Sequence, residues 1–149
     1  MRDIDEITGT VLDVALRLHR ELGPGLLESV YETLLSLRLN ALGLNAERQK
    51  LIGVEFEGVR IDAAFRADLL VDERLIVEIK SIDRLAPVHS KQLLTYLRLI
   101  KQPVGLLINF GGETLREGVR RIVNEYRSSA PPLSSPRLRV NDFSSSSGA

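Results

Sequence analysis

The period of the apolar positions changes several times along this chain, and each change marks an element. Ile4, Ile7, Val11, Val14, Ala15 and Leu18 recur at helical spacing and predict a first helix, which Gly23-Pro24-Gly25 breaks. A second helix is expected from about Leu26 to Leu42, burying Leu27, Val30, Tyr31, Leu34 and Leu35, with Gly43 as its stop. The period then shortens. Gln49 to Phe56 reads as a strand ending at Glu57-Gly58, and Ile61 to Val71 as a second, bulged at Ala63-Ala64. Asp72-Glu73-Arg74 is short enough for a hairpin loop into a third strand, Leu75 to Lys80. Ala86-Pro87 opens another helix, with Val88, Leu93 or Leu94, Tyr96, Leu97 and Ile100 partly buried and Pro103 ending it. Val104 to Phe110 is uniformly apolar, as in a strand buried on both faces. After a Gly111-Gly112 loop, Leu115, Val119, Ile122, Val123 and Tyr126 suggest a last short helix. From Ser128 onward Ser, Pro and Gly dominate, which predicts a disordered tail over 128–149 and a single domain over 1–127. The expected fold is α/β, in the order α-α-β-β-β-α-β, with a mixed central sheet flanked by helices.

Composition narrows the chemistry. The 149 residues are 44% hydrophobic but only 5% aromatic, so the core must be built of Leu, Ile and Val. The absence of cysteine excludes disulfides, thiolate zinc sites and a cysteine nucleophile. With two histidines, His19 and His89, a bound metal would need oxygen ligands, which favours Mg²⁺ or Mn²⁺. No apolar run approaches the ~20 residues that span a bilayer, so no membrane partner is expected. The acidic start lacks a signal-peptide layout, and a cytoplasmic location is expected. Lys+Arg and Asp+Glu are both 20, so a nucleic-acid surface would have to be local.

Counting outward from the loop, Val71 pairs with Leu75, Leu69 with Val77, Asp68 with Glu78, and Arg66 with Lys80. Period-two alternation then puts Arg66, Asp68, Glu78 and Lys80 on one face. Phe65, Ala67, Leu69 and Val71 take the other, with Leu75, Val77 and Ile79. Directly opposed Cβ atoms lie roughly 4.5–5.5 Å apart. Two carboxylates at that range repel unless a positive charge sits between them. A divalent cation would meet that need, with the Ile79 carbonyl as a further ligand and Lys80 placed to orient an attacking water. A salt-bridge ladder of the same four charges is equally consistent with the hairpin alone. Helices on both sheet faces would put the patch in a cleft, where unpurposed charge is costly, and this favours the metal.

The flanking helices add candidates. His89, Gln92 and Tyr96 share a helix face or its edge, where Gln and Tyr can bond a phosphate or hold the lysine; taken alone, a boundary face with a half-buried tyrosine fits better. Lys80, Arg84, Lys91, Arg98 and Lys101 oppose only Asp83 between residues 80 and 101, a locally basic strip suited to a polyanion. Glu28, Tyr31 and Glu32 recur at spacings of three and four, and Glu28 also suits a helix N-terminus through the helix dipole.

Asp68, nine residues, then Glu78-Ile79-Lys80 resembles the D…(D/E)xK core of the PD-(D/E)XK nuclease superfamily. Gly25-Leu26-Leu27-Glu28-Ser29-Val30-Tyr31 resembles the signature of its bacterial GxxExxY branch. Phe65 to Val71, Leu85 to His89, Gln92 to Leu97 and Gly105 to Phe110 extend the likeness, in order, across about Ile4 to Val123. Ala67 stands where the family's proline would be. The resemblance implies that Asp68 and Glu78 are metal ligands and Lys80 the catalytic lysine. It implies a Glu28 contact to the metal, often through water, and supporting roles for Gln92 and Tyr96, as in RecB-like nucleases.

The leading expectation is a Mg²⁺- or Mn²⁺-dependent nuclease acting on DNA or RNA. The alternative is a non-catalytic binding or assembly module on the same fold, and a phosphodiesterase for small nucleotides comes third. Holding a duplex at this size would call for a homodimer or a fused recognition domain.

Overall fold

The computed structural model describes residues 2–125. Helix α1 spans Ile4–Leu22. The Asp3 carboxylate caps it by accepting the Asp5 N–H at 3.1 Å, and Gly23 turns the chain away at φ 75°. Helix α2 spans Glu28–Ala41. It starts at Glu28 rather than Leu26, and Leu27, outside the first turn, is 74% exposed rather than buried. The side of α2 turned inward carries Tyr31, Leu35 and Leu39 together with two polar residues, Glu32 and Ser36.

Strands β1 (Ala46–Phe56) and β2 (Val59–Val71) form a long hairpin closed by Glu57 and Gly58, both at positive φ as a two-residue turn of this hand requires. Strand β3 (Leu75–Lys80) follows the loop at Asp72–Arg74, and its pairing with β2 has Val71 on Leu75 and Leu69 on Val77, as counted. Helix α3 (Pro87–Ile100) then crosses to strand β4 (Val104–Asn109), parallel to β3 and buried along its whole length. Val88, at the open end of α3, is 63% exposed. The segment expected to form a last helix is instead a 3₁₀ turn at Arg116–Gly118 and an edge strand, β5 (Val119–Val123), antiparallel to β4. Its Val, Ile and Val are β-branched and favour the pleated edge. Gly118 lies so close to the Asn109 carbonyl that a Cβ would sit 2.3 Å from it. Tyr126 and residues 128–149 lie outside the described residues. The sheet order is β1-β2-β3-β4-β5. Among the described residues no helix is long and apolar enough to cross a membrane.

Helices α1 and α2 cover one face of the sheet and α3 the other, so two cores form. Leu69, Val71, Leu75, Val77 and Ile79 belong to the α1–α2 core with β4's Val104, Leu106 and Ile108. Leu70, Ile76 and Leu107 belong to the α3 core with Leu93 and Leu97. Phe65 and Ala67 also lie in the α3 core, on the face opposite Leu69 and Val71. The alternation of β2 therefore slips at Asp68, and this corrects the single-face assignment of Phe65, Ala67, Leu69 and Val71. The cause lies on the neighbouring strand. Gln49, in mid-β1 between the pairs Arg48–Leu69 and Lys50–Ala67, adopts a left-handed φ of 51°. A second irregularity sets Asp62, Ala63 and Ala64 against Gly53 alone, at the expected bulge.

Candidate active site

The ladder between β2 and β3 ends at Leu69–Val77. Beyond it the two strands fork, and two carboxylates fill the fork. Glu78 Oε2 accepts the Asp68 N–H at 3.0 Å, and Asp68 Oδ2 accepts the Ile79 N–H at 2.8 Å. Each acid thus holds the backbone of the opposite strand. Glu78 is buried, and its Oε1 has no hydrogen-bond partner among the described residues. Burial, then the Asp68 charge, pushes its carboxyl up to about 8, while Lys80 pulls it partly back. Lys80 is half-buried and makes no ion pair among the described residues. Arg66 is not across from it. It pairs with Leu51 of β1, is exposed, and reaches only the Gln49 carbonyl at 3.5 Å. The charge ladder considered from the sequence does not form.

Facing the fork is a cleft of about 770 Å³ between the start of α2 and the β3–α3 loop, lined by Glu28, Glu32, Arg48, Gln49 and Asp68 among others. The Gly25-to-Tyr31 segment builds its wall. Gly25 takes φ 108°, a conformation that an L side chain rarely adopts. Tyr31 is fully buried, stacked on Phe110 at 4.3 Å. Its hydroxyl donates to the Gly23 carbonyl at 2.6 Å and accepts the Leu26 N–H at 3.2 Å, which pins the loop from below. Glu28 Oε2 accepts the Ser81 N–H at 3.3 Å, so this carboxylate stands on the cleft wall and clasps the chain leaving β3. Asn109 clamps the same stretch, since its side chain accepts from Ile82 N–H and Gly111 N–H and donates to the Ile82 carbonyl.

Two side chains that sequence reasoning passed over meet Glu32. Glu32, 5% exposed, accepts from Arg48 Nε at 2.9 Å and from Gln49 Nε2 at 2.7 Å. Gln49 Nε2 also lies 3.4 Å from Asp68 Oδ1, which links α2 to the fork. Consecutive strand residues ordinarily point to opposite faces, and the left-handed Gln49 lets both reach one carboxylate. The only sequence signal for this was a glutamate on the buried side of α2.

On the α3 side, the Tyr96 ring stacks on Phe65 at 3.9 Å. Burial, then the charges of Glu78 and Asp68, raise its phenol pKa. Gln92 is exposed and without a hydrogen bond among the described residues. His89 caps its own helix, its Nδ1 accepting the Ala86 N–H at 3.0 Å.

The donor set suits a hard divalent cation. It offers oxygen only, one buried carboxylate oxygen is unpartnered, and the Asp68 charge adds to burial in disfavouring the ionised form of Glu78. Among the described residues no three acidic, His or Cys side chains converge on one point, so backbone carbonyl and water would complete the shell.

No curated protein matches the chain. Among solved structures, the crystal structure of SSO0001 is similar over 76% of this chain and 66% of that one, just under two thirds of its length, at 20% identity and a TM-score of 0.43. A family model of the PD-(D/E)XK nuclease superfamily matches residues 5–122. That match runs from the first helix to the last strand and takes in the whole fork and cleft, so the chain belongs to the PD-(D/E)XK nuclease superfamily.

Proposed function

We propose that this chain is a divalent-metal-dependent nuclease of the GxxExxY branch, hydrolysing phosphodiester bonds in DNA or RNA with a single domain over residues 1–127. The reading rests on the Asp68–Glu78 pair in the β2–β3 fork, half-buried Asp68 beside buried Glu78. Asp68, Glu78 and the Ile79 carbonyl would hold Mg²⁺ or Mn²⁺, with Glu28 reached through water. When bound, such an ion polarises a phosphoryl oxygen and lowers the pKa of a coordinated water. Lys80 orients the attacking water and steadies the charge that develops on the phosphoryl oxygens. Tyr96, stacked on Phe65, supports β2 from α3, and exposed Gln92 on the same helix would meet the substrate.

Purified protein with Mn²⁺ is expected to cleave at least one of single-stranded DNA, duplex DNA and RNA. Asp68→Ala and Lys80→Ala should each lower that rate by about 100-fold or more. Cleavage that survives either change would overturn the site assignment.

One observation favours a second reading, a non-catalytic binding or assembly module. Both carboxylates already accept backbone N–H groups, so the fork closes without a metal. No cleavage of any of the three substrates, together with no Mn²⁺ binding at micromolar concentration, would select it. A homodimer would give either reading the breadth to hold a duplex, and sedimentation of the purified chain would test for it.

A further inference from the structure

Arg48 and Arg38 use their guanidinium groups in opposite ways. Arg38 meets the exposed Glu21 with both terminal nitrogens, at 3.1 and 2.8 Å, a closed fork that leaves little to offer elsewhere. Arg48 meets buried Glu32 through Nε alone, at 2.9 Å. Its Nη1 and Nη2 have no partner among the described residues, and its side chain is 41% exposed on the cleft that Asp68 also lines. An arginine that served only to neutralise Glu32 would be expected to spend its fork on it. Here the carboxylate is a mount. Gln49 holds the second oxygen of Glu32, and the single Nε bond leaves both terminal nitrogens of the part-exposed Arg48 free of protein partners among the described residues.

We propose that Arg48 is an anion-binding residue of this cleft, presenting Nη1 and Nη2 to a phosphodiester of the nucleic-acid strand that lies beside Asp68. The inference rests on the nuclease reading for the identity of its ligand, but not for the binding itself. Arginine suits this task because its planar fork matches two phosphate oxygens. The position also makes chemical sense of an acidic cleft. Asp68 and Glu78 would hold the ion, and Arg48, fixed on Glu32, would offer its terminal N–H donors to the backbone.

The test uses the full chain in EDTA, so that the probe is not cut, and a fluorescein-labelled single-stranded DNA 20-mer, with an RNA 20-mer of the same sequence in parallel. Anisotropy is read over a range of KCl concentrations. Arg48→Ala is expected to weaken binding by about 10- to 100-fold, the worth of a charge-assisted pair. It should also reduce the slope of log affinity against log salt by about one. Arg48→Lys keeps a charge for Glu32 but loses the fork, so it should fold as the parent does and still bind several-fold more weakly. Mn²⁺ affinity, read by electron paramagnetic resonance, should be unchanged in both. If cleavage occurs, KM should rise with kcat within a few-fold. Parental affinity and salt slope in Arg48→Lys and Arg48→Ala would overturn the proposal, as would a parent that binds neither oligonucleotide. A chain that cleaves but ignores both substitutions removes this inference alone. A chain that never cleaves but loses oligonucleotide binding with them keeps it and removes the nuclease reading.

Discussion

Glu78 is an acid placed where its charge is poorly solvated. Its carboxyl ordinarily titrates near 4.5 and is pushed up to about 8 in the folded chain, first by burial and then by Asp68. Between those values the folded state carries one proton more than the unfolded state. The stability of the metal-free protein should therefore fall as pH rises from about 5 to about 8, by a few kcal/mol, and level off above. Urea unfolding at three pH values in this range would show it. Glu78→Gln should flatten the dependence, and a slope that persists would assign it to another group. Metal affinity should rise over the same interval, because binding displaces that proton. The pairing of Asp68 with Glu78 was legible in the sequence, since a three-residue loop and period-two counting place them. Their relation to Arg66 was not. It depends on a left-handed Gln49, and no residue type marks such a position unless it is glycine or asparagine.

At the level of elements, the legible parts are those with one strong period. The stripe of α1 and the bounds of β3 follow directly from apolar spacing. The segment after Gly112 failed because five apolar residues fit either period, and contact with β4 decided for a strand. The role of the β4 terminus was equally silent. Asn109 stands where the strand ends and ties the β3–α3 loop through two hydrogen bonds to Ile82, with a third to Gly111 beneath it. A Cβ on Gly111 would lie 2.1 Å from the Ile82 carbonyl. Asn109→Ala and Gly111→Ala should each destabilise the fold by about 2–3 kcal/mol in urea unfolding. Both should also loosen the loop that Glu28 clasps, so Mn²⁺ affinity should drop more than it does for a core substitution of equal cost, such as Leu35→Ala.

At the scale of the molecule, among the described residues, neighbours in sequence are neighbours in the sheet, and the single parallel crossover runs through α3. This places the cleft where α2, on one face, meets strands whose other face carries α3. The two cores meet at the fork, and neither closes it with side chains of its own. The amides of Asp68 and Ile79 are consequently bonded to carboxylate side chains and not to strand carbonyls. An ion entering between those carboxylates must compete with two backbone protons, so the occupied and vacant forms should differ in their NMR signature. In a ¹H–¹⁵N spectrum, diamagnetic Mg²⁺ should shift the Asp68 and Ile79 peaks and speed their exchange with solvent, while the β3–β4 ladder amides stay protected. The fork would then act as an internal indicator of its own occupancy, readable with no substrate present.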